Sequence, residues 1–323
     1  MQPVAEPSPL DWQARLRAAL PWLLLGAAVA LPWLAQAAGH EYYIGVARRI
    51  LIFALAATSL NLILGYGGMV SLGHAASFGV GAYTVGVLMV EGVADALLAW
   101  PAAVGAAALL ALVIGAVSLR TRGVYFIMIT LAFAQMVYYL AVGVKAYGGD
   151  DGLSLPGRSR LPGIDLAHDV SFYYLVLAVL AASIFMLNRL VESRFGRALV
   201  GIRENASRME AIGFATFRIR LIAFVIAGAL AGLAGVLFVN HNGFVSPAAL
   251  HWTQSATLVI MVILGGIGYR YGGVLGAAAL LLLEEVLSQF TDHWHLALGL
   301  VLLAVVFAAP RGLAGLFSRR VAG

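Results

Sequence analysis

The chain has 323 residues, 62% of them hydrophobic and only 11% charged, with a net charge of +5 and no cysteine. A water-soluble domain needs about a quarter of its residues charged to cover its surface, so a chain with mean hydropathy +0.94 falls outside that class and has lipid as its main solvent. The missing cysteines exclude a disulfide framework and thiolate metal sites, and the excess arginine reads as the mark of cytoplasmic loops, not as a nucleic-acid surface.

The first element is "RLRAALPWLLLGAAVALPWLAQA", residues 15–37. Its basic flank, apolar run and small residues at Ala35 and Ala37 have the form of a signal peptide. The rest of the chain already crosses the membrane repeatedly, so residues 19–38 are expected to stay as the first transmembrane helix. A spanning helix needs about 20 apolar residues. Ten runs meet that need, centred near Val29, Leu55, Val80, Ala108, Phe133, Ala178, Ile226, Ile260, Ala279 and Val301. They are rich in Leu and Ala and do not alternate as barrel strands would, so strands are not expected. The expected fold is all-α and polytopic, one transmembrane domain over residues 1–323.

With both termini placed in the cytoplasm, most of the 20 Lys and Arg residues fall inside, including Arg15, Arg17, Arg319 and Arg320. Arg48, Arg49, Lys145, Arg158 and Arg160 fall outside. Arg48 and Arg49 then lie at the outer end of the second span, where their long stems can snorkel.

The third span begins in "GYGGMVSLGHAASFGVGAY", residues 65–83. Interior glycine costs a helix about 1 kcal/mol against alanine, and a membrane protein recovers that by close helix approach or by breaking the helix at a cavity. Gly65, Gly67 and Gly68 read as a break, and Gly73, Gly79 and Gly81 as a packing face. A second glycine-rich turn, "GGIGYRYGGVLG" at residues 265–276, also links consecutive spans and suggests an internal pseudo-repeat. Gly228 and Gly232 add a G-x-x-x-G packing face to the seventh span.

Translocon scales put a central Asp, Lys or Arg at about 2.5–3.5 kcal/mol in lipid, so polar groups within spans should face the bundle or a wet cavity. The candidates for lining a path are Asn61, Gly67, Gly68, Ser71, His74, Thr130, Gln135 and Glu284. For His74 the competing reading is a neutral imidazole satisfied by a neighbour. Glu284 and Glu285 lie in the outer half of the ninth span, one placed to pair with a base and the other to reach the interface.

Two polar connections stand out. Residues 145–170, rich in Gly and Pro, read as an irregular outer loop. Residues 190–219 form a cytoplasmic loop containing "SRFGRALVGIRENASRMEAIGF", in which much of the scarce charge is concentrated. It reads as two short helices joined by a cap. Ser207 and Glu210 have capping-box spacing, with Asn205 as an alternative start. Gly213 suits the stop, and Met209 and Ile212, three apart, would share one face. Such a helix is either an ordinary basic loop element or a docking site for a cytoplasmic partner. The sequence carries no phosphate-binding G-x-x-x-x-G-K-[ST], no H-E-x-x-H and no G-x-S-x-G. His293 and His295, one residue apart, do not share a helix face as an i,i+4 metal pair would.

That loop resembles the cytoplasmic loop of the LivM-type permeases of branched-chain amino-acid ABC importers. So do "LNLILGYGGMVSLGHAASFGVGAYT" at residues 60–84, "RGVYFIMITLAFAQM" at 122–136, "GGDDGLS" at 148–154, "GFVSPAALHWTQSATLVIMVILGGIGYRYGGVLGAA" at 243–278 and "APRGL" at 309–313. Ser77, Tyr147 and Gly201 depart from the family pattern, which would have an aromatic, a small polar residue and alanine there. The resemblance implies a coupling loop to ATPase subunits carried by Arg197, Arg203, Glu204, Asn205, Ser207, Arg208, Met209, Glu210, Ile212 and Gly213. It implies a LivH-like second permease, two LivG/LivF-like ABC ATPases that hold the ATP and Mg²⁺, a periplasmic or extracellular binding protein, and a bacterial inner-membrane location. This chain would bind no cofactor and perform no chemistry. The resemblance leaves room for urea, short amides or aromatic acids as cargo. A stand-alone secondary transporter or channel, hinted at only by Glu284 and Glu285, is the reading from another class.

Overall fold

The computed structural model describes residues 26–317, apart from 38, 40, 164, 291, 292 and 310. Residues 19–25 of the expected first helix lie outside the described residues, as do Arg15, Arg17, Arg319 and Arg320. The elements run α1 (Gly26–Ala37), α2 (Tyr42–Asn61), continued by a π-turn (Leu62–Tyr66), α3 (His74–Val90), α4 (Ala96–Ser118), α5 (Val124–Gly143), α6 (Asp169–Glu192), α7 (Arg194–Glu204), α8 (Ala206–Ala211), α9 (Thr216–Asn242), α10 (Trp252–Gly265), α11 (Gly272–Ser288), α12 (Trp294–Ala308) and α13 (Gly312–Phe317). Each of the ten expected centres falls in a helix. Among the described residues, five helical segments are long and apolar enough to cross a membrane: Tyr42–Tyr66, α4, α5, α6 and α9. The third and eighth expected spans, bordered by the glycine turns, are α3 with 17 residues and α10 with 14, or about 26 and 21 Å at 1.5 Å per residue.

Among the described residues the fold is all-α except for one small ladder, which the sequence did not announce, and an isolated bridge between Asp95 and Arg160. β1 (Leu153–Ser154) pairs antiparallel with β2 (Phe244–Val245). This ladder helps hold the loop at residues 145–170 on the bundle. Asn240 of α9 adds to it by accepting from the Ser159 amide at 2.7 Å.

α2 and α9 are the inner helices, with 78% and 67% of their most apolar windows buried, against 28% for α4 and 22% for α5. A helix apolar all round is stable only when enclosed by others or by lipid. α9 packs on α2, α3 and α4, and α2 also packs on α6, α10 and α11. The α3–α9 crossing is backbone to backbone: a Cβ on Gly81 would run into the Gly232 backbone. Such close approach is what small residues permit in membrane bundles.

The two charge sets lie at opposite ends of α2. At one end, Arg48 is buried, bonds Asp169 at 2.5 Å and lies over the Phe172 ring. Arg158 reaches the same carboxylate at 2.6 Å, and Arg49 pairs with Glu284 at 3.0 Å. At the other end, the chain meets Arg203 of α7. Gly81→Val is expected to destabilise the chain by about 1–3 kcal/mol through overpacking, read as a lower thermal midpoint in mild detergent. An unchanged midpoint would mean that α3 and α9 are not in contact there.

Candidate functional site

The site is built on the way α2 ends. Its last turn widens to π geometry, with the Gly67 amide bonded to the Leu62 carbonyl at 3.2 Å, and the Met69 amide then reaches back to Ile63 at 2.8 Å. The chain runs without helix from there to Gly73. Inside a membrane every backbone N–H and C=O needs a partner, and the first amides of α3 have none within their own helix. Side chains meet the Ala75 amide and the two amides just ahead of the helix. The Leu72 amide donates to Thr130 Oγ1 of α5 at 3.2 Å, the Gly73 amide to Ser71 Oγ at 3.2 Å, and the Ala75 amide to Ser255 Oγ of α10 at 2.8 Å. Ser59 Oγ lies 2.8 Å from His74 Nε2 and donates its own hydrogen to the Ala56 carbonyl at 2.7 Å. His74 must therefore donate through Nε2.

Asn61 joins the two glycine-rich turns. Its Nδ2 donates to the Tyr269 carbonyl at 2.9 Å, and its Oδ1 accepts from the Gly268 amide at 2.9 Å. One turn earlier on α2, the Thr58 backbone lies against Gly273. From the loop at residues 190–219, Arg203 Nη1 donates to the Gly65 carbonyl inside the π-turn. Gly68 sits at φ +66°, and its bare Cα faces the Arg203 stem, so a side chain there meets both backbone strain and a collision. Break, turn and loop thus form one junction.

The loop consists of two helices, as the sequence suggested, but the cap differs. Asn205, with extended backbone, accepts from the Arg208 amide at 2.9 Å and starts α8. Ser207 lies inside α8, and the Ser207–Glu210 capping box is not formed. α7 runs to Glu204, so Asn205 is the residue whose backbone turns out of one helix and into the next. Glu210 instead accepts from Thr216 Oγ1 at 2.6 Å and lies 3.7 Å from Arg122. Gly213 ends the turn at φ +89°, with the Phe214 amide bonded to Met209.

Met209 and Ile212 do not share a face. Met209 folds back onto Gly201 of α7, where a Cβ would meet its sulfur at 3.0 Å, while Ile212 is 64% exposed. The departure from alanine at 201 therefore makes room for Met209. Ile212, Phe214 and Phe217 form the exposed apolar group, beside exposed Arg197, Glu204 and Arg208.

Other sequence candidates lie elsewhere. Gln135 Nε2 is 3.4 Å from His251 Nε2, next to Tyr138. Glu284 is paired with Arg49, and Glu285 accepts from the Tyr42 hydroxyl at 2.8 Å. Ser77 faces Gly228 and Gly232 in the α3–α9 packing. Tyr147 donates to Glu91 at 3.2 Å and ties the loop at residues 145–170 to the α3–α4 connection; that hydrogen bond and the carboxylate's charge raise the phenol's pKa above its usual value. Ser59, Ser255, Asn240 and His251 carry bonds that no motif announced. Among the described residues, no group of three His, Asp or Glu could hold a metal.

The comparisons with known proteins agree with this architecture. A family model described as "Branched-chain amino acid transport system / permease component" matches residues 42–309. The high-affinity branched-chain amino acid transport system permease protein LivM of Escherichia coli K12 is 30% identical over 90% of this chain and 73% of its own length. The protein of the same name from Salmonella typhimurium is 29% identical over the same shares. An autoinducer 2 import system permease protein LsrC from Escherichia coli O9:H4 is 31% identical over 55% of this chain and 52% of its own. No solved structure matches. Asn61→Leu keeps the volume but strands the Gly268 amide and the Tyr269 carbonyl, each a loss of about 1–3 kcal/mol. A clear fall in the thermal midpoint is expected, and no fall would mean that the two turns are not joined through Asn61.

Proposed function

Because the chain belongs to the family of permease components of branched-chain amino acid transport systems, we propose that it forms half of the translocation path of an ABC importer for branched-chain or related amino acids. A second, LivH-like permease supplies the other half, and an external binding protein delivers cargo to the outer loop at residues 145–170. Two ATPase subunits dock on α7 and α8 from the cytoplasm of a bacterial cell, and they alone hold ATP and Mg²⁺. This chain performs no chemistry.

The observation that carries the reading is the Arg203 bond to the Gly65 carbonyl. The docking loop is attached by a charge-assisted bond to the wide turn that ends α2, at the break before α3. Ile212, Phe214 and Arg208 face outward, free to meet the ATPases. Movement imposed on α8 passes through α7 and Arg203 to the break and through Asn61 to the α10–α11 turn. Alternating access follows when the two sides of the path shift against each other. Gly67, Gly68 and the polar residues around the break, Asn61, Ser71, His74 and Thr130, are the groups whose partners would exchange as it opens. Gln135 and Glu284 lie nearer its outer end.

Two substitutions separate docking from transmission. With the complete importer reconstituted in vesicles, Arg208→Glu is expected to weaken ATPase association and lower ATP hydrolysis and uptake together. Arg203→Gln is expected to leave association intact while uptake per ATP falls at least several-fold. Normal coupling in the Arg203 variant would remove the lever.

A further inference from the structure

A cavity of about 180 Å³ opens at the cytoplasmic end of the bundle, between the glycine break, the α4–α5 turn and the start of α9. Its lining includes Gly68, Val70, Thr121, Arg122, Phe126 and Arg220. One water needs about 15 Å³ by the same kind of measure, so the space admits a group of several heavy atoms.

The cavity's charge is unbalanced. Arg220 is half-buried in the cavity lining. Arg122, also at the cavity, lies at 3.7 Å from Glu210, too far for a hydrogen bond. Glu210 is itself engaged by the Thr216 hydroxyl. Two guanidiniums thus share one carboxylate, which among the described residues is ion-paired to Arg122 alone. The start of α5 adds its positive dipole end and first amides beside the same space.

The rest of the lining is apolar, with Phe126 and Val70 among it, and an exposed apolar track leads away from it. Val117 at the end of α4 and Val124 and Met128 at the start of α5 are 48%, 65% and 62% exposed. The cavity therefore joins an oxyanion-seeking end to a hydrocarbon-facing surface. We propose that it holds the phosphate of an anionic phospholipid of the cytoplasmic leaflet, with Arg122 and Arg220 on the phosphate oxygens and the acyl chains along α4 and α5. Guanidinium suits this task because its forked donors bind phosphate oxygens in pairs, and basic pockets between spans at this depth are the known chemistry of headgroup recognition. The proposal does not depend on ATPase docking and would hold if that reading failed.

The test uses the full chain, purified with its partner subunits in mild detergent. Native mass spectrometry in an equimolar mixture of phosphatidylglycerol and phosphatidylcholine reads retained lipid, and thermal unfolding reads stabilisation by each lipid, by inorganic phosphate and by L-leucine. Phosphatidylglycerol is expected to be retained about tenfold over phosphatidylcholine, consistent with two arginines near the headgroup, and to raise the midpoint most. Arg122→Gln and Arg220→Gln should each lower that preference several-fold, while Arg194→Gln, an exposed charge of the loop away from the cavity, should keep it. Arg122 is 66% exposed, so its variant is expected to fold even if the Arg220 variant does not. Equal retention of the two lipids by the wild-type chain would overturn the proposal. So would an unchanged preference in the Arg122 variant, or protection by L-leucine or phosphate without any effect of lipid.

Discussion

Arg203 and Asn61 satisfy backbone groups that the end of α2 and the α10–α11 turn cannot satisfy for themselves, and the arrangement of that end of the bundle follows from it. A helix that stops inside a bilayer has no water to receive its last carbonyls. Here the guanidinium takes Gly65, and the carboxamide takes Gly268 and Tyr269 at once. The glycines permit the approach: the Gly68 backbone lies against the Arg203 stem and Gly273 against the Thr58 backbone. The costly glycines of two separate segments thus meet at one junction.

The same accounting explains the start of α3. The Ala75 amide is met by Ser255 of α10, and the Leu72 and Gly73 amides just before the helix by Thr130 of α5 and by Ser71 of the break itself. The break is therefore tied to α5 and α10 by specific bonds, not left as a slack loop. At the other end of α2 the organising charge is Asp169, which gathers Arg48 and Arg158 beside the Phe172 ring. Between these two polar ends, α2 and α9 are held by close apolar packing, with α3 and α9 in backbone contact.

The sequence made the helices legible because hydropathy is a local property, and each expected centre from Val29 to Val301 lies in a helix. It read the break at Gly65, Gly67 and Gly68, of which Gly65 still lies in the π-turn and the other two follow it, and it located the stop at Gly213. It could not choose between Asn205 and Ser207 as the cap, since both types cap well; the end of α7 decided that. It set Met209 beside Ile212 by spacing alone, whereas Gly201 drew Met209 inward. Polar residues such as Asn61, Thr130 and His74 were visible as unusual in lipid, but their partners lie as far away as the α10–α11 turn, and no local pattern encodes them. Arg203 looked like any other arginine of the loop. Its bond to the Gly65 carbonyl joins residues 138 apart in the chain, which no local pattern encodes.

The central claim is that the loop and the break move as one body. The chain contains no cysteine, so spin labels can be placed on it in pairs without background from its own residues, the partner subunits being used in cysteine-free form. Labels at the exposed positions Ser207 on α8 and Val70 in the break, and in a second protein at Val70 and Tyr139 on α5, would be read by pulsed electron resonance in the reconstituted importer with and without ATP. The Ser207–Val70 distance should stay constant while the Val70–Tyr139 distance changes. A change in the first distance with none in the second would mean that the loop moves without carrying the break, contradicting the coupling through Arg203.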